Sequence, residues 1–259
     1  MKKLFSIFMI FVLLACTDLS KKSKEPTNPS KPKEILKTMV EYTENGQIFN
    51  GYMVYEDSIE TKKTGIILIH HWVGLDEFTM KEADKFAREG YVVFAMDMYG
   101  KDVKVTNHEE AGKISGYYKK NREVMRGRVA RAIEELKKNP NVDPNKIGGV
   151  GYCFGGDALI DYMLYTDEFK AGVSFHGFYT SPLLQNKLNG VLQINHGVLD
   201  KSSTMDQLKA FMDIHPEVEV YLYDDAGHAY TVTDGPNYNE KAAKESFERA
   251  KLFLKTELN

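Results

Sequence analysis

Short apolar runs recur along the chain at residues 65–70, 91–96, 147–152, 171–175, 191–195 and 218–223. They do not alternate with polar residues, the pattern of strands buried on both faces. Between them lie stretches of helical period, residues 78–88, roughly 109–138, 154–165, 204–214 and 239–258. Strand and helix in alternation predict an α/β domain with a mostly parallel central sheet flanked by helices. Two alternating segments, 35–42 and 48–55, precede this and flank Glu44-Asn45-Gly46. Asn-Gly between alternating segments signals a hairpin, so antiparallel strands are expected at the N-terminal edge. Nothing within 35–259 resembles an interdomain linker, a repeat or a low-complexity segment, and it reads as one domain.

Residues 1–34 follow another pattern. Lys2-Lys3 precede residues 4–15, an apolar run broken only by Ser6. As a helix that run spans about 18 Å, too short for a hydrocarbon core of about 30 Å. Residues 1–15 therefore read as a secretory signal. The run ends in Leu13-Leu14-Ala15-Cys16, which resembles the bacterial lipobox, whose cysteine is acylated and becomes the new N-terminus. Cys16 is thus the expected lipidation site; a plain signal with an incidental cysteine is the alternative. Residues 17–34 hold Lys, Ser, Pro and Glu with one large apolar residue, Leu19. Such a segment cannot bury enough surface to offset its ordering entropy. Residues 16–34 are read as a lipid-anchored tether, with the domain on a membrane surface in the bacterial cell envelope, outside the cytoplasm.

Composition narrows the choices further. The chain is 42% hydrophobic with only two cysteines, so its stability rests on a hydrophobic core and not on disulfides. Residues 35–259 carry 27 basic and 34 acidic side chains, a net −7. That excess argues against nucleic acid as a partner, since such binding rests on phosphate neutralisation.

In open α/β sheets ligands bind beyond the carboxyl ends of the strands. After the run 147–152 stands Gly151-Tyr152-Cys153-Phe154-Gly155-Gly156, a Gly-x-nucleophile-x-Gly elbow entering a helix. After 191–195 stands His196-Gly197-Val198-Leu199-Asp200, and after 218–223 stands Asp224-Asp225-Ala226-Gly227-His228. The order Cys153, Asp200, His228 is the nucleophile, acid and base order of α/β-hydrolases. A thiol becomes a strong nucleophile when an imidazole takes its proton, and a carboxylate fixes the tautomer of that imidazole. Taken singly, Cys153 could be a structural cysteine, His228 a loop histidine and Asp200 a helix cap. Three strand ends in the right order argue for a catalytic set.

These three motifs, completed by Tyr223 and Ala229 around the last, resemble the dienelactone hydrolase family of α/β-hydrolases over roughly residues 46–258. The resemblance implies hydrolysis of a small ester or lactone through an acyl-enzyme on Cys153, without a cofactor. It also implies an oxyanion hole made by the backbone N–H groups of Phe154 and of Trp72, in the loop His70-His71-Trp72-Val73-Gly74. His71 stands where the family usually has a glutamate that accepts the resting thiol's proton. Lys101, in Asp97-Met98-Tyr99-Gly100-Lys101, stands where the family has a carboxylate-binding arginine. His71 and Lys101 are therefore assigned to substrate binding. A second such arginine, beyond the catalytic histidine, has no counterpart among Ala229-Tyr230-Thr231-Val232-Thr233. Neutral or weakly anionic esters are expected to be preferred.

Five histidines, His70, His71, His176, His196 and His228, fall at strand ends. No His-x-His or His-x-x-x-His spacing accompanies them, so they read as pocket lining and no metal site is assigned. His108 and His215 read as surface residues, and Trp72 as core or pocket wall. Arg122, Arg126, Arg128 and Arg131, interleaved with Glu123, Glu134 and Glu135, read as a solvated helix face. Two further readings use the same residues: acyl transfer or thioester hydrolysis, and a non-catalytic surface-anchored binding module on a hydrolase scaffold.

Overall fold

The computed structural model describes residues 34–57 and 61–258. Cys16, the signal and residues 17–33 of the tether lie outside the described residues. Among those described, eight strands form one sheet: β1 (Ile35–Glu44), β2 (Gln47–Glu56), β3 (Lys63–Ile69), β4 (Val92–Met96), β5 (Val142–Tyr152), β6 (Ala171–Phe175), β7 (Val191–Gly197) and β8 (Glu219–Tyr223). Their order is β1-β2-β4-β3-β5-β6-β7-β8. β1, β2 and β4 pair antiparallel, and every pairing from β4 through β8 is parallel. This is the α/β-hydrolase arrangement that the strand-helix alternation predicts. Asn45 and Gly46 both take left-handed φ, 49° and 79°, as a tight hairpin between β1 and β2 requires.

The helices are α1 (Glu77–Arg88), α2 (His108–Lys120), α3 (Arg122–Lys137), α4 (Phe154–Tyr165), α5 (Met205–Ile214) and α6 (Glu240–Leu258). β3 shows why its run does not alternate. Ile66 and Leu68 pack in a cluster with Phe86 of α1 and Leu254 of α6, while Ile67 and Ile69 pack in another with Val129 of α3 and Leu159 of α4. All four aliphatic side chains are fully buried, each stabilising the fold by about 1.5–3 kcal/mol.

Three expectations need correction. The helical period over 109–138 is two helices, broken at Asn121 (φ −112°, ψ 63°), whose side-chain amide donates to the Tyr117 carbonyl at 2.8 Å. Asparagine competes for backbone groups in this way and so favours helix ends. The arginines that follow are not a solvated face. Arg122 and Arg126 reach α4, at 2.9 Å from Asp157 and 2.7 Å from Asp161, and Arg128 pairs with Glu44 of β1. The aspartates that recruit them stand on a separate helix, 35 positions on in the case of Asp161, so spacing along α3 does not reveal them. His215, finally, is buried, its Nε2 2.8 Å from the Leu184 carbonyl oxygen.

Candidate active site

β5 delivers Cys153 to the carboxyl edge of the sheet. Cys153 has φ 53° and ψ −114° and directly precedes α4. A non-glycine residue pays strain for such backbone, and that conformation aims the side chain away from the sheet. Glycines make the elbow possible. A Cβ on Gly151 would lie 2.2 Å from the Gly155 carbonyl oxygen, and one on Gly155 would lie 2.1 Å from that of Ile69. The start of α4 thus packs directly on the end of β3, which brings Phe154 beside the loop that carries Trp72.

Cys153 Sγ lies 3.0 Å from His228 Nε2, and His228 Nδ1 lies 2.7 Å from Asp200 Oδ2. Asp200 is anchored through its other oxygen, which accepts the backbone N–H groups of Ser202 and Ser203 at 2.7 and 2.9 Å. Burial alone would raise its pKa, but the hydrogen bond and charge of His228 and these two N–H groups hold it below the usual carboxylate range. His228 is tuned the other way. Burial opposes its protonation, yet the hydrogen bonds to Asp200 and Cys153 outweigh that and lift its pKa to about 10. The three residues that share one order in sequence therefore share one hydrogen-bonded chain in space.

The chain opens into a cavity of about 520 Å³ walled by Trp72, Phe154, Phe178 and Val232, with His71, Lys119 and Cys153 among its polar lining. Among the described residues, neither the Phe154 N–H nor the Trp72 N–H has a backbone or side-chain acceptor. Both remain able to donate. Tyr99 fixes the Trp72 peptide by donating its hydroxyl to the Trp72 carbonyl at 2.9 Å, and Asp97 shapes the turn before it by accepting the N–H groups of Tyr99 and Gly100.

The remaining assigned residues divide. His71 lines the cavity, with Nε2 2.9 Å from Asp76 Oδ2 and its ring edge-on to Phe78. It makes no hydrogen bond to Cys153. Lys101 is not brought to this cavity; its ammonium pairs with Glu41 of β1 and it lines a separate groove. The turn after β4 lies against β2, where the Lys101 N–H donates to the Ile48 carbonyl, and Glu41 on neighbouring β1 is close enough to take the charge. Of the other strand-end histidines, His70, His176 and His196 are fully buried behind the cavity. His108 does line it, its ring tilted by 30° against that of Trp72 with centroids 5.3 Å apart.

Nothing in the sequence singles out Lys119, which with Lys120 closes α2. Its Nζ sits 3.6 Å from the centre of the Phe178 ring, and it has no carboxylate partner among the described residues. It is the one Lys or Arg in the described lining. Arg122 holds this wall together: Nε donates to the Lys119 carbonyl, Nη2 to Thr180, and Nη1 pairs with Asp157 on the helix that begins after Cys153.

Over residues 49–258 the sequence matches the Dienelactone hydrolase family. The chain belongs to that family. It is accordingly a hydrolase of carboxylic esters or lactones, on the fold that the sheet order displays. Among curated relatives, a protein of Aquifex aeolicus (strain VF5) provisionally named a carboxymethylenebutenolidase is 26% identical, the match covering 85% of this chain and 98% of that protein. Protein usf of Aquifex pyrophilus is 35% identical over 54% of this chain and 61% of its own length. The crystal structure of a dienelactone hydrolase-like promiscuous phosphotriesterase from metagenomic libraries has a TM-score of 0.80 at 21% identity, covering 87% of this chain and 99% of that one. At that identity the likeness concerns the fold alone.

Proposed function

We propose that this protein cleaves a small ester or lactone with Cys153 as nucleophile, His228 as acid-base and Asp200 as its orienting partner, through an acyl-enzyme. The observation that carries this reading is the hydrogen-bonded chain from Sγ to Nε2 and from Nδ1 to Oδ2 at the mouth of an apolar cavity. The His228 imidazole takes the thiol proton, which leaves an imidazolium and a thiolate. The thiolate adds to the substrate carbonyl carbon, and the oxygen takes the negative charge opposite the Phe154 and Trp72 N–H groups. Collapse expels the alkoxide, which receives the proton from His228; from a lactone the resulting alcohol stays attached to the acyl group. Neutral His228 then takes a proton from water, the hydroxide attacks the thioester, and the acid leaves as the thiolate and imidazolium re-form. The provisional name of the Aquifex aeolicus relative supports a lactone as one substrate class.

In this reading Lys119, rather than Lys101, offers the single cation to a substrate's anionic substituent. A lone ammonium is a point charge without the bidentate grip of an arginine. Short aryl esters, lactones and thioesters, each in neutral and carboxylated form, test these roles together. Cys153→Ala is expected to abolish turnover of the whole panel, and Lys119→Met to lower kcat/KM for carboxylated members relative to neutral ones by about tenfold, as for a partly exposed ion pair. A Cys153→Ala variant with near wild-type turnover overturns the nucleophile assignment. A thioester-only profile moves the reading to thioester hydrolysis by the same residues.

The same proposal places the enzyme on a membrane of the cell envelope, anchored through an acylated Cys16, and rests there on Leu13-Leu14-Ala15-Cys16. A diacylglyceryl group and an N-acyl chain together supply stable attachment. Cys16→Ser is expected to leave the membrane fraction. Unchanged fractionation, with no lipid label in the wild type, contradicts the anchor.

A further inference from the structure

Behind the base lies a second imidazole that the proposed chemistry does not use. His176 follows β6 and is fully buried, with a left-handed φ of 40°. The next residue is Gly177, yet the strained position is occupied by histidine. Its backbone is fixed on both sides. The Phe175 carbonyl accepts the Cys153 N–H at 3.0 Å, and the His176 N–H donates to the Asn195 carbonyl of β7 at 2.8 Å.

The His176 ring stands edge-on to His228 and to Tyr230, with ring centroids 5.4 Å away in each case. Its Nε2 is 2.8 Å from the hydroxyl oxygen of Thr231, itself buried. The turn that carries His228 needs such support, because Ala229 also has left-handed φ, 59°. Asn237 donates to the His228 carbonyl, and the Tyr230 carbonyl accepts the Asn239 N–H, both from further along the chain. Among the described residues, the hydrogen bond to Thr231 is the one that ties this turn back to the end of β6, whose last carbonyl holds the nucleophile. Phenylalanine would supply the ring contacts without that bond.

We propose that His176 is a positioning residue, which latches the 228–231 turn through Thr231 and so holds the His228 imidazole on Cys153 Sγ. The proposal rests on the reading of Cys153 and His228 as the working pair. It asks His176 to stay neutral while His228 gains and loses its proton. The surroundings of His176 suit this: burial first, then the charges of His228, His71 and His196, push its pKa well below the usual histidine range. The other titratable groups packed on it are Tyr152, hydrogen-bonded to Glu82, and Tyr230. His228 in turn faces Cys153, Asp200, His176 and His196.

Two conservative variants break the latch from opposite ends: Thr231→Val removes the hydroxyl with little change of shape, and His176→Phe keeps the ring. Their kcat on p-nitrophenyl butyrate and the pH dependence of Cys153 alkylation by iodoacetamide are to be compared with wild type. The proposal predicts that each variant lowers kcat about ten- to a hundredfold with KM little changed, displaces the alkylation curve, and that the double variant is no worse than the poorer single one. Folded variants with wild-type kcat and an unmoved alkylation curve overturn it. So does a loss of thermal stability alone, or a double-variant effect that is the product of the two singles. Cys153→Ala assayed beside them separates the two failures. If it is active, the reading of the working pair falls; if it is dead while the latch variants are not, the role of His176 alone falls.

Discussion

Two histidines line the same cavity, each paired with an aspartate at nearly the same spacing, 2.7 Å for His228 with Asp200 and 2.9 Å for His71 with Asp76. They differ in which ring nitrogen is committed. His228 gives Nδ1 to its aspartate and turns Nε2 onto the thiol, whereas His71 commits Nε2, the tip of the ring, to Asp76. The aspartates differ as well. Asp200 spends its second oxygen on the backbone N–H groups of Ser202 and Ser203 in its own loop, while Asp76 spends its second oxygen on capping α1 through the N–H and hydroxyl of Thr79. One pair is thus built toward the sulfur and the other toward a helix terminus. A His-Asp contact near a thiol is therefore not sufficient for a triad; the nitrogen left over decides.

The largest effect that separates the pairs is expected from the aspartates. Asp200→Asn should lower kcat by roughly three to four orders of magnitude, because the amide leaves His228 without its orienting anion. The corresponding Asp76→Asn should cost less than tenfold on the same ester. Equal losses in the two variants, measured by steady-state kinetics on p-nitrophenyl butyrate, would remove the distinction drawn here.

Next in size is stability, where the order reverses in kind. Asp76→Ala removes the α1 cap and should lower the unfolding free energy by about 1 kcal/mol. Burial raises the Asp76 carboxyl, but the hydrogen bond and charge of His71 and the bonds from Thr79 outweigh it and hold its pKa at about 2. A depressed carboxyl pKa stabilises the fold above the unfolded value, about 4, and that contribution is lost as the pH falls toward 2. Wild type should therefore lose more stability than Asp76→Asn between pH 4 and pH 2. Parallel acid-unfolding curves, from denaturant titrations at each pH, would contradict this.

How far the sequence exposes these features depends on how local they are. The eight strands, the elbow and the order Cys153, Asp200, His228 are carried by short patterns, and all can be read before any coordinates. Lys101 shows the opposite case. The Asp-x-Tyr turn is real, but its use is Tyr99 on the Trp72 carbonyl, while the lysine beside it folds away to Glu41. Lys119 and Phe178 meet only because Arg122 ties the end of α2 to Thr180 and Asp157. Those contacts join segments up to 58 positions apart. His176 and Thr231 lie 55 apart, and nothing in either's local sequence points to the other.

A smaller effect sharpens the comparison further. His71 stands at the cavity wall with its Nδ1 bonded to no described residue. His71→Gln keeps a hydrogen-bonding side chain at that wall and should change kcat on p-nitrophenyl butyrate by no more than about twofold. A loss as large as that of Asp200→Asn would put His71 in the chemistry and not in the wall beside Phe78.

The acyl-enzyme itself offers the most direct test of the central claim. Wild type mixed with excess p-nitrophenyl butyrate and quenched in acid during turnover should show, by intact-protein and peptide mass spectrometry, one butyryl group on the peptide containing Cys153. The adduct should persist longer in Asp200→Asn, whose deacylation is slowed, and should be missing from Cys153→Ala. Steady turnover by wild type with no acylated Cys153 at any quench time, or with the acyl group on another residue, contradicts the account.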